Sequence, residues 1–77
     1  MSRIRIAADE STGCRLMIEP LGMVYAVDPG ACMFFEVSPS RLGEMEIVYW
    51  TGGVTVWLYG EVIVFDQDGN EVDRLFS

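Results

Sequence analysis

The chain alternates between short runs of β-prone residues and tight clusters of turn formers. The runs are Arg3–Ala8, Cys14–Glu19, Met23–Val27, Ala31–Val37, Glu44–Trp50, Val54–Tyr59, Glu61–Phe65 and Glu71–Phe76, each long enough for a strand and too short for a stable helix. In the first, Ile4 and Ile6 oppose Arg3 and Arg5, the period of two expected of a half-buried strand. In Glu44–Trp50 one face carries Met45, Ile47 and Tyr49, and the other carries Glu44, Glu46, Val48 and Trp50. That second face starts wet and ends dry. In Val54–Tyr59 the aliphatic Val54, Val56 and Leu58 oppose Thr55, Trp57 and Tyr59. Val62-Ile63-Val64-Phe65 has no polar face, which marks a central strand covered on both sides.

Between the runs lie Asp9–Gly13, Pro20–Gly22, Asp28–Gly30, Ser38–Ser40, Thr51–Gly53, Gly60 and Asp66–Asn70. Each combines residues that preset φ or tolerate a left-handed backbone. Turns at this spacing predict an all-β fold: a small antiparallel β-sandwich or flattened barrel of seven to eight short strands. Ser38-Pro39-Ser40-Arg41-Leu42 is the one helical turn expected, with Ser as cap, Pro at the first position and Gly43 as the stop. A longer helix through Leu42, Met45 and Tyr49 has similar spacing, but Gly43 and the run Ile47–Trp50 favour strand. The expected core includes Ile4, Ile6, Leu16, Ile18, Val24, Phe34, Ile47, Val56, Val62, Val64 and Val72.

A longer-range pattern runs through Glu19-Pro20-Leu21-Gly22, Tyr25, Asp28-Pro29-Gly30, Gly53-Val54-Thr55-Val56-Trp57, and Val64-Phe65-Asp66 with Asp68-Gly69-Asn70. It resembles small uncharacterised bacterial all-β proteins that read Glu-Pro-Trp-Gly, an aromatic, Pro-Gly, a strand ending in Val-Trp, and an acidic-Gly hairpin. Leu21 stands here in place of the Trp. The resemblance covers most of residues 19–72 and implies an all-β fold; it brings no catalytic residues.

Length and charge narrow the function. At 77 residues the chain is one domain, 1–77, and 51% hydrophobic residues place it well outside the composition of disordered segments. Twelve Asp and Glu against five Arg give a net charge of -7, so direct binding to nucleic acid or to anionic membrane is not expected. The absence of His and Lys removes the usual metal ligand, the usual general base and every Schiff-base nucleophile. No secretory segment is visible at Met1–Glu10 and no apolar stretch approaches a membrane span, so the cytoplasm is the expected location. Cys14 and Cys32 are too few for a zinc site and read as reduced thiols among apolar neighbours. A bridge between them requires that their two strands pair and that the protein be exported.

Two acidic features have the residue types of a chemical site. Asp66-Gln67-Asp68-Gly69-Asn70 begins like a calcium loop, but Gly69 falls at the fourth place instead of the sixth and Ser77 stands where a bidentate Glu is needed. It reads as a hairpin turn. The pairs Glu44/Glu46 and Asp66/Asp68 project from one side of a strand, yet no nucleophile or Arg clamp accompanies them. The expectation is therefore a protein without enzymatic activity, cofactor or metal.

What remains is the aromatic set. If Val54, Val56 and Leu58 face inward, Trp57 and Tyr59 face outward, with Trp50 on the paired strand, forming a surface platform at Trp50, Trp57 and Tyr59. A chain this short buries only about 60% of its unfolded surface, so a surplus of apolar side chain calls for cover by a second copy. The leading expectation is a protein-interaction module that forms a homodimer and contacts a further protein through that platform. Two alternatives are a small acidic inhibitor of the phage type, occupying a basic site as a nucleic-acid mimic, and a β-domain that binds a sugar or other small molecule.

Overall fold

The computed structural model describes residues 1–76. Among them are eight strands: β1 (Ser2–Ala7), β2 (Cys14–Glu19), β3 (Met23–Val27), β4 (Cys32–Val37), β5 (Glu46–Trp50), β6 (Gly53–Trp57), β7 (Glu61–Phe65) and β8 (Glu71–Phe76). A 3₁₀ turn at Pro39–Glu44 precedes β5, entered through Ser38 with Pro39 in its first turn. Each strand starts and ends within about two residues of its sequence run, because Gly and Pro chemistry ends strands sharply.

The strands form two four-stranded sheets, the first in the order β1-β4-β7-β8 and the second in the order β3-β2-β6-β5. Their facing sides share one core, in which Leu16, Ile18 and Val56 of the second sheet meet Phe35, Val62 and Val64 of the first. All six are essentially inaccessible to solvent. The fold is an all-β sandwich. One pairing departs from the antiparallel expectation: β2 and β6 run parallel, with Leu16 opposite Val54 and Ile18 opposite Val56. Residues 20–52 separate these strands, so no tight turn dictates their relative direction.

Four residues expected in the core lie elsewhere. Val24 is 52% exposed because β3 turns Met23, Tyr25 and Val27 inward, leaving Val24 on the outer face. Val72 is 47% exposed, beside a register irregularity at Val64/Phe65 that leaves it without a partner in the β7–β8 ladder. Phe34 alternates out of the core and supports the Arg3 guanidinium, which lies 5.2 Å from its ring and 5.0 Å from that of Phe65. Ile47 points to the core side, opposite the buried Val56, yet is 58% exposed since nothing covers it there.

The thiols also separate. Cys14 lies in the second sheet, half-buried, and Cys32 in the first, buried; both are free. No helix among the described residues is long and apolar enough to cross a membrane.

The two long sides of the sandwich differ. On the β3/β8 side the Tyr25 hydroxyl donates to Asp73 Oδ2 at 2.8 Å, and the Tyr25 ring packs edge-on against Phe35 at 6.2 Å. Burial, then this carboxylate, pushes the Tyr25 phenol above its ordinary value near 10. The folded protein therefore keeps the proton at pH values where the unfolded chain releases it. The contact stabilises fully below pH 10, and its contribution is lost as pH rises through the folded value. Tyr25→Phe is expected to cost about 1 kcal/mol at neutral pH. It should also flatten the fall in stability above pH 10, as followed by denaturant midpoints against pH. An equally steep fall in the variant contradicts this role.

Candidate functional site

The outer faces of the two sheets are dressed differently. Across the first, one row reads Arg3, Glu36, Ile63 and Arg74. Arg3 pairs with Glu36 at 2.9 Å, and Arg74 pairs with Glu71 at 2.9 Å and with Glu61 at 3.6 Å. Charge covers the apolar bodies beneath. Across the second sheet the corresponding row is Val24, Met17, Thr55 and Val48, with no ionic side chain. Val24 and Val48 are exposed at its two ends.

The sheet edges show the same contrast. Edge strand β1 carries Arg3 and Arg5, and edge strand β8 carries Glu71, Asp73 and Arg74, charges that discourage pairing with another chain. Edge strand β3 has none but lies between Pro20 and Pro29. Edge strand β5 has only Glu46, at its beginning. The rest of β5 is apolar and uncovered: Ile47 is 58%, Val48 42% and Tyr49 81% exposed. Ile47 and Tyr49 lie on the core side and Val48 on the outer side, so both faces of β5 are wet.

On the core side, Tyr49 opens onto a gap between the sheets. Next to β5 on this side is a cleft of about 350 Å³ between the end of β1 and the β5–β6 hairpin, lined by Ile6, Cys14, Val54 and Tyr49 with Asp9 and Thr12. The sandwich is tied shut at β3/β8 and gapes at β1/β5.

The aromatic residues singled out in the sequence take three different positions. Trp50 lies flat over Gly53 and donates its indole N–H to Thr55 Oγ1 at 2.9 Å. Trp57 is on the same outer face, paired with Glu46 at the far end of the strand, about 13 Å away. Both are half-buried. Tyr59 follows β6 and sits beneath Arg41, whose guanidinium carbon is 5.8 Å from its ring. Trp50 and Trp57 thus flank the Val48 row, whereas Tyr59 belongs to the contact with the 3₁₀ turn.

Sequence reasoning missed Ile47, Val48 and Tyr49 as surface residues. The available signal was negative: a strand with bulky apolar residues on both faces and no Lys or Arg on either.

The acidic groups have local work. Arg41 pairs with Glu44, and this guanidinium holds the Glu44 carboxyl below the usual range. Asp66 Oδ1 accepts the backbone N–H of Asn70 at 2.9 Å and of Asp68 at 3.0 Å, and the Asn70 bonds hold its carboxyl low as well. Gly69, at φ +87°, closes this β7–β8 turn with a left-handed backbone. The loop is a hairpin whose carboxylate is used by its own amides. Comparison of the chain with protein-family models, curated sequences and solved structures finds no match.

Proposed function

We propose that the protein is a non-enzymatic interaction module that self-associates as a homodimer, using the apolar side of its second sheet and leaving part of that face for a further protein. The observation that carries this reading is β5, an edge strand uncovered on both faces and apolar from Ile47 to Tyr49. Monomeric proteins rarely leave such an edge bare. Trp50 and Trp57, on the same face, border the surface and supply the amphipathic bodies common in protein contacts. The reduced thiols of Cys14 and Cys32 suit a cytoplasmic setting, which forms part of the same reading.

Charge gives the reading a direction. Two copies of -7 each repel, so salt strengthens their association by screening. An acidic inhibitor seated on a basic partner behaves oppositely and lets go as salt rises. Sedimentation velocity from about 1 µM to 1 mM, the range expected of a small interface, tests this. The expected result is a mass that climbs from monomer to dimer and does so at lower concentration in high salt. A constant monomer mass at both ionic strengths overturns the proposal.

A further inference from the structure

We infer that the dimer is made by β5 pairing with β5 of a second copy, antiparallel about a two-fold axis through Val48, so that the two second sheets become one eight-stranded sheet. This rests on the self-association reading above and specifies its geometry. In an edge strand, alternate residues turn their N–H and C=O groups outward, and a two-fold pairing must set outward residues against outward residues. The axis therefore passes through a residue. Centring it on Val48 pairs all five residues of Glu46–Trp50: Val48 with its copy, Ile47 with Tyr49, and Glu46 with Trp50.

Three consequences favour a second copy as the occupant. The uncharged row Val24, Met17, Thr55, Val48 continues without a break into Val48, Thr55, Met17 and Val24 of the second copy. On the core side the overhanging Ile47 of each copy meets the overhanging Tyr49 of the other, an aromatic against a β-branched side chain. The only charge in β5, Glu46, lands opposite Trp50 and about 13 Å along the strand from its own copy, beyond a Debye length at physiological salt. Two strongly acidic molecules thus meet along an edge whose single charge lies at its end, whereas the uncharged β3 is flanked by Pro20 and Pro29. A foreign basic strand finds no central acid in β5 to pair with.

Cysteine scanning tests the register, with the parent protein as control for the native thiols. Residues directly opposite one another have Cα atoms about 4.5–5.5 Å apart, within disulfide range, whereas the diagonal neighbour lies about 7–8 Å away and outside it. Val48→Cys is expected to link into a covalent dimer under mild oxidation. Ile47→Cys and Tyr49→Cys should each fail alone and link when mixed. In the non-covalent protein, Val48→Lys sets two ammonium groups against each other on the axis and should weaken the dimer at least tenfold, with an unchanged far-UV spectrum as evidence of folding. Mixing it with Val48→Glu should restore association. A parent that dimerises while Val48→Cys stays unlinked and Val48→Lys leaves the affinity unaltered overturns this interface and leaves self-association standing. A parent that remains monomeric overturns both.

Discussion

Phe35→Ala is expected to remove most of the stability of this domain. Phe35 is wholly buried in the central strand β4, between Ile4 of β1 and Val64 of β7, and its ring meets Tyr25 of the opposing sheet. It touches both layers. Truncating a buried Phe costs about 3–5 kcal/mol through lost transfer energy and the cavity left behind. A domain of this length has only about 4–11 kcal/mol in total. A fall in melting temperature of roughly 15–30 °C follows, or loss of the cooperative transition altogether. Phe76→Ala serves as the contrast: the residue is 67% exposed, so the cost should stay within about 0.5 kcal/mol. Equal costs for the two variants, in denaturant titrations, contradict the assignment of core and surface.

The second large effect is expected at Gly53. This buried residue begins β6 where β6 runs beside β2, and a Cβ there falls 2.3 Å from the Arg15 carbonyl oxygen and 2.8 Å from the Trp50 indole. The carbonyl belongs to the backbone of the neighbouring strand and has no rotamer to escape into. Gly53→Ala must push β2 from β6 or lift Trp50 off the sheet and away from Thr55. The expected cost is about 3 kcal/mol, with a red-shifted tryptophan emission. Gly43→Ala is the control, since a Cβ meets nothing within 4 Å there. A neutral Gly53→Ala means that the indole does not lie where Gly53 admits it.

The sequence made the strands legible because their ends are written locally. Pro20, Gly22, Gly30, Gly52 and Gly69 sit in turns that the backbone takes with these residues, and the glycines among them have positive φ. The central position of Val62–Phe65 followed from its lack of a polar face, and β7 does lie between β4 and β8. Partnering across the chain was not legible. Nothing in residues 14–19 or 53–57 tells that β2 and β6 run side by side in parallel, because that depends on where long connections return the chain.

The surface was legible only in part, for a related reason. Periodicity tells which residues share a face, and Ile47 and Tyr49 do lie on one side of β5, whereas Met45 precedes the strand. Periodicity does not tell whether another layer reaches over that face. Ile47 and Tyr49 belong to the core side of their sheet and yet stay wet, Tyr49 at the cleft it shares with the end of β1. Likewise the alternation that sets Trp57 outward is real, but the flattening of Trp50 onto Gly53 and the draw of Tyr59 toward Arg41 come from partners distant in sequence or in the next turn.

The bare edge of β5 is the surface that a second copy is proposed to complete. Amide hydrogen exchange resolved by residue, followed as the protein is concentrated, reads that edge directly. The account predicts that the outward-facing amides of Glu46–Trp50 exchange freely in dilute solution and slow at least tenfold as dimer accumulates, while those of β1 and β8 keep their dilute rates. Exchange in β5 that does not change with concentration, or protection that appears first at β1 or β8, contradicts it.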